Sequence, residues 1–374
     1  MTLNRHFVTV FYQNFPTQNY RYTIQAERNQ TLKTEEHRTI SAAFVVSVLD
    51  KSNLPDEQKK SFLKRCEITP PVLNGGKYRV HPDQFARLCS LVSEATQDAS
   101  MGHFRSRLKP EALVTMARYT RDGKNLQEAI ERNIEFYNLF DTGFQLALTE
   151  SGAYANYQMQ ADPQFPLSTW VYEQHLMVNH RFLCWLLGVQ IPLIRVNLHY
   201  PQPAHSQEYH YLFHSEIRFQ QVRTEMLFDR KLLALPTIRT QDSLETYLHH
   251  FPYRLLQAPN RDSSYTTQIR GYLKNALPQH AGYDEIAESL NLTPQTLRRR
   301  LACEGADFRQ IKNELLRDLA ISQLQTSDAD IKTIAYQLGF SEPSAFIRSF
   351  RRWTGCTPSS YKQAYCHGVV DEAS

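Results

Sequence analysis

The stretch DIKTIAYQLGFSEPSAFIRSFRRW, residues 330–353, reads as a helix, a tight turn and a second helix. Ile334, Ala335 and Leu338 fall on one apolar face at helical spacing. Gly339 suits the left-handed residue that closes a helix, because no Cβ opposes a positive φ there. Ser341 is expected to cap the second helix and Pro343 to open it, where a missing N–H costs nothing, and Phe346 and Phe350 then turn into a core. The same grammar stands about fifty residues upstream in YDEIAESLNLTPQTLRRRL, residues 283–301. There Ile286, Ala287 and Leu290 make the first face, Thr293 caps, Pro294 opens, and Leu297 and Leu301 point inward. The small Ala287 allows the close crossing that a helix-turn-helix needs. Between the units, Phe308 to Leu324 is amphipathic through Ile311, Leu315, Leu319 and Leu324. Such a helix would hold the two second helices roughly 34 Å apart, one turn of DNA.

One such pattern alone is matched as readily by an ordinary helical hairpin with a solvated basic face. Two with matching grammar, over 283–304 and 331–353, favour DNA. Residues 261–374 hold 14 Lys and Arg against 13 Asp and Glu, so bulk charge is not the argument. Placement is: Arg298, Arg299 and Arg300 crowd one second helix and Arg348, Arg351 and Arg352 the other, while acidic residues sit mainly on the scaffold helices. Side chains near the start of a recognition helix reach base edges, and arginine grips guanine at two points. Candidate base contacts are therefore Gln295, Thr296, Arg298, Arg299, Ser344 and Arg348. Arg300, Arg351 and Arg352 are candidate phosphate contacts, a role Arg299 could share.

The run from Ile334 through Trp353 to Tyr361, with LRRRL at 297–301, resembles the signature of AraC/XylS-type bacterial transcription regulators. The resemblance implies a seven-helix domain that reads two adjacent major-groove segments of double-stranded DNA, with RNA polymerase as a further partner. Upstream, Trp185-Leu-Leu-Gly188, Ile191-Pro192 and the stretch 204–235 with Phe228-Asp229 and Leu235-Pro236 resemble the arabinose-binding-type sensor of ornithine-utilisation regulators. That resemblance implies a small-molecule effector, of unknown identity, bound by the N-terminal domain.

Residues 266–365 are expected to form the DNA-binding domain, the polar cluster at 257–265 a linker, 1–256 the N-terminal effector-binding or dimerisation domain, and 366–374 a tail. Residues 1–38, polar and aromatic without a period, are expected to be an arm. After it, helical spacing governs 40–49, 83–93, 110–116 and 126–140. Alternation from Phe144 to Met159 predicts a strand pair, 168–187 a long helix, 191–200, 216–219 and 225–229 further strands, and 244–256 a last helix. The fold class is an α+β sensor-like domain followed by an all-α domain with two helix-turn-helix units. Trp170, Tyr172, His175 and Trp185 on the long helix are the effector-binding candidates, although aromatics at helical spacing are more often plain core.

Other classes find little support. His199, His205, His210 and His214 cluster, and the last two are four apart, but Tyr211, Leu212 and Phe213 fill the gap where a metalloprotease would place its glutamate. Neither a phosphate-cradling loop nor a nucleophile elbow is present, so no catalytic residue, cofactor or metal is expected, and a metal-dependent enzyme fused to a DNA-binding domain is the remotest alternative. A ligand-independent DNA binder is the nearer one, set against the length of the region before residue 258, far more than DNA contact needs. Cys66, Cys89, Cys184, Cys303, Cys356 and Cys366 show no C-x-x-C pair and read as reduced structural thiols. The most apolar stretch, 182–194, is too short to span a bilayer and is flanked by Arg181 and Arg195. With no secretion-like start, a cytoplasmic protein without a membrane partner is expected. A homodimer on paired half-sites would gain affinity through effective concentration.

Overall fold

The computed structural model describes residues 39–68, 78–249, 265–304 and 306–363. The arm expected at 1–38, the end of the helix expected at 244–256, the tail at 366–374 and the expected linker lie outside them. Only Tyr265 of the linker is described, and it is already helical.

The first unit is a small helical layer. β1 (Ile40–Ser41) pairs antiparallel with β2 (Arg79–Val80), and α1 (Ala42–Asp50), α2 (Asp56–Arg65) and α3 (Pro82–Thr96) pack around Phe44, Val48, Phe62, Leu88 and Val92. Ser41 starts α1 by accepting from the Ala43 N–H. His81 precedes Pro82 at the start of α3, where the side chain of Gln84 reaches back to the His81 N–H.

The second unit is a sheet with helices on its inner face. α4 (Pro110–Arg121) and α5 (Leu126–Asn138) precede β3 (Phe144–Ser151) and β4 (Tyr154–Ala161). Then follow α6 (Thr169–Leu187), β5 (Leu193–Asn197), a short α7 (Tyr209–Phe213), β6 (Glu216–Arg218), β7 (Thr224–Asp229) and α8 (Gln241–His249). The sheet order is β3-β4-β7-β5-β6, antiparallel except for the β5–β6 pair. One row across all five strands, Leu148–Tyr157–Met226–Val196–Ile217, faces the helices. The next row, Ala147–Gln158–Glu225–Asn197–Arg218, is polar beyond Ala147, and Glu225 accepts from Gln158 at 3.1 Å and Asn197 at 2.8 Å. This period-two alternation is what a one-sided sheet requires. α6 is buried nearly all round and ends at Gly188 with φ +68°, where an added Cβ would lie 2.5 Å from Ile238.

The third unit is all-α: α9 (Tyr265–Ala276), α10 (Tyr283–Ser289), α11 (Pro294–Cys303), α12 (Phe308–Thr326), α13 (Ile331–Gln337) and α14 (Pro343–Thr354), with a helical stretch over 358–363 as a seventh. Its core gathers Ile286, Ala287, Leu297, Leu301, Ile311, Leu315, Ile334, Ala335, Phe346 and Phe350. Among the described residues no helix is long and apolar enough to cross a membrane.

Candidate nucleic-acid interface

In the first pair, Thr293 accepts from the Thr296 N–H at 3.2 Å and Pro294 opens α11, as the sequence predicts. Asp330 caps α13 by accepting from the Thr333 N–H at 2.7 Å. Gly339 has φ +81°, and an added Cβ would stand 2.3 Å from the Pro278 carbonyl oxygen, so glycine is demanded by backbone conformation and by the neighbouring loop alike. Ser341 does not cap α14. Pro343 occupies the first helical position, so the cap falls to the residue directly before it, Glu342, which makes no side-chain cap bond.

These caps aim the recognition helices. In α11, Leu297 and Leu301 are buried, so Gln295, Arg298 and Arg299 emerge on the opposite side, all exposed. In α14, Phe346, Phe350 and Thr354 are buried while Ser344, Arg348, Arg351 and Arg352 are exposed. The six arginines thus leave the scaffold on the faces turned from the core. Three candidates have local partners. The Thr296 hydroxyl pairs with that of Thr293 at 2.8 Å, and the Ser344 hydroxyl donates to Glu342 at 3.0 Å. Arg300 lays its guanidinium over the Tyr265 ring, 5.2 Å from the centroid, on α9. Sequence reasoning missed Ile347, which is 36 % exposed between Ser344 and Arg348. Its signal was present: with Phe346 and Phe350 inward, residue 347 falls at the edge of the outer face, beside Ser344 and Arg351, where an apolar side chain suits a thymine methyl.

The four effector candidates are not brought together. Trp170 is 7 % exposed and packs with Phe44 and Phe85 in the first unit. Tyr172 faces His199 and Tyr200. His175 lies in a buried network, 2.9 Å from the Tyr157 hydroxyl and 3.2 Å from the Asn179 amide, and burial pushes its imidazole down to about 3. Trp185 stacks on Tyr247 under the guanidinium of Arg239. Of the clustered histidines, His199 bonds Thr224 and His205 bonds Glu173 at 2.6 Å. Among the described residues no group of three or more His, Cys, Asp or Glu is placed to hold a metal ion.

Comparison with known proteins completes the picture. Residues 59–237 match the family described as the arabinose-binding domain of AraC transcription regulator, N-terminal, and residues 286–364 a helix-turn-helix domain spanning most of both pairs. The ornithine utilization regulator of Pseudomonas aeruginosa is 23 % identical over 329 residues, covering 87 % of this chain and 96 % of that protein. The regulator VqsM of the same organism is 33 % identical over 98 residues, 26 % of this chain and 30 % of its own. Among solved structures, the transcriptional regulator CdpR from Pseudomonas aeruginosa aligns over 86 % of this chain and 98 % of its own, at 20 % identity and a TM-score of 0.29. These matches are to transcription regulators and not to enzymes. With an arabinose-binding-type domain ahead of a two-part helix-turn-helix domain, the chain belongs to the AraC-type DNA-binding transcription regulators.

Proposed function

We propose that α11 and α14 read two adjacent segments of a promoter, and that a small-molecule effector held by the N-terminal domain shifts the population of the DNA-competent form. The observation that carries the reading is the pair of exposed arginine faces, each set opposite a buried apolar face on a capped helix. Gln295, Arg298 and Arg348 are the base readers, joined by Ile347, while Thr296 and Ser344 divide their hydroxyls between local bonds and DNA. Arg299, Arg351 and Arg352 hold phosphates, and Arg300 steadies α9 more than it reaches DNA. Effector control is supported by the arabinose-binding-type domain, and the relative named for ornithine utilization makes amino acids the first class to test. RNA polymerase and a second copy of the chain are the protein partners in this reading.

Arg298→Ala and Arg348→Ala should each cost about 1–3 kcal/mol on the cognate site and relax preference at one base pair, whereas Arg352→Ala should weaken every sequence alike. Titrating the selected site and random DNA side by side distinguishes these outcomes. Equal losses on both for Arg298→Ala and Arg348→Ala would remove the base-reading assignment.

A further inference from the structure

The third unit is joined to the first two through a buried ionic cluster. Asp318, at the middle of α12 and 1 % exposed, accepts from the Thr39 hydroxyl at 2.6 Å, from Arg270 at 2.7 Å and from Arg317 at 3.2 Å. Arg79 of β2 stands 3.9 Å from the same carboxylate. Its guanidinium donates to both oxygens of Glu208 at 2.6 and 3.0 Å, and to the hydroxyl and carbonyl of Thr39 at 2.6 Å each. Burial alone would raise the Asp318 carboxyl, but Arg317, Arg270, Arg79 and Thr39 bring it down to about 2, so it stays ionised. Around this centre, Tyr78 stacks on Tyr361 with ring centroids 5.8 Å apart. The Tyr361 hydroxyl donates to the Arg79 carbonyl at 3.2 Å, and His81 meets Gln325 at 2.8 Å.

Glu208 extends the line into the sensor. It ends the 3-10 turn Ser206–Glu208, and the residues flanking that turn, His205 and Tyr209, both bond the buried carboxylate of Glu173 on α6. A buried ion pair adds little net stability compared with apolar packing, but removing one member leaves a desolvated charge, so such clusters fix one arrangement of the parts they join. The part joined here is the helix that bridges the two helix-turn-helix pairs. The joint leaves the recognition faces open, since Arg298, Arg299, Arg348, Arg351 and Arg352 are all exposed.

We propose that Glu208, Arg79 and Asp318 are positioning residues for DNA reading: they fasten α12 to the N-terminal domain, so that the two recognition helices are presented at a fixed separation. The inference rests on the reading that both pairs engage DNA together. A change at Glu173, His205 or Tyr209 would reach DNA through the turn that carries Glu208.

The test uses the full chain and the site it selects from random DNA, in intact form and with either segment scrambled. Arg79→Met should lower affinity for the intact site by about tenfold or more, while affinity for each single-segment site stays within about twofold. Glu208→Leu placed on Arg79→Met removes the buried carboxylate that loses its bidentate guanidinium and should restore part of the loss. A variant that breaks the interface without stranding a charge, His81→Ala, should show the same selective loss at roughly threefold, and it decides the matter if Arg79→Met does not fold. Equal losses on intact and single-segment sites, or no loss on either, would overturn the inference. A parent chain that selects no sequence would overturn the reading beneath it.

Discussion

Phe350→Ala is expected to destabilise the DNA-binding domain by about 3–5 kcal/mol and to abolish site-specific binding at 37 °C. Phe350 is fully buried, with ring centroids 5.8 Å from Phe346 and 5.5 Å from Tyr361. Truncation loses the transfer free energy of the ring and leaves a cavity that α12 and α14 cannot close, because Phe346 is already wedged against Phe340 and Tyr361 is held by Tyr78. A domain of this size has only about 5–15 kcal/mol in total, so the loss takes most of the stability of a domain at the low end of that range. Chemical denaturation followed at Trp353, in a background with Trp170 and Trp185 replaced by Phe, reads the loss. A midpoint unchanged from the parent would show that α14 is not held by this core.

The second large effect is acid sensitivity of the N-terminal domain. Burial pushes His175 down to about 3 and His180 down to about 4. Both imidazoles are neutral when folded, whereas in the unfolded chain they titrate near 6.5. Between pH 6.5 and those folded values the unfolded chain binds more protons, so stability rises with pH and is lost as pH falls. From pH 7.5 to pH 4.5 the two together should remove on the order of 5 kcal/mol, at about 1.36 kcal/mol per pH unit for each group below pH 6.5. Burial lowers His103 and His199 as well, which adds to the loss. His205 works in the opposite sense. Burial opposes its charge, but Glu173 raises it above the usual value, so its contribution is present at low pH and fades as pH rises through the raised value. Asp318 acts only below about pH 4, outside this window. Thermal melts followed by the fluorescence of Trp170 and Trp185 check the sum. Equal stability at pH 4.5 and 7.5 would contradict neutral, buried histidines at 175 and 180.

The DNA-binding half was legible because its signals are local. A glycine after an apolar face, a proline at a helix start and phenylalanines four apart each specify something within one or two turns, and Gly339, Pro294, Pro343, Phe346 and Phe350 all stand where those rules place them. The misplaced cap at Ser341 came from weighing hydroxyl chemistry above the position that Pro343 imposes. The strand pair at Phe144 to Met159 was legible for a similar reason, since one-sided burial writes itself as alternation.

The effector candidates were not legible on the same terms. A helix buried on nearly every side, like α6, carries no polar stripe, so spacing cannot say which of Trp170, Tyr172, His175 and Trp185 share a direction. The ionic cluster was hidden by distance: Asp318 reads as one more scaffold charge until Thr39, 279 positions away, and Arg79 fold against it. The clustered histidines, expected as surface or packing groups, place His199 against Thr224 and His205 against Glu173, partners that lie 25 and 32 positions away.

The most direct measurement is selection of DNA from a random pool by the purified full-length chain, followed by titration of the recovered site at two salt concentrations with and without candidate amino acids. The expected result is a site of two segments one helical turn apart, and a titration curve that moves when the effector is present. Sequence-independent binding that only tracks salt, unmoved by any ligand, would contradict it.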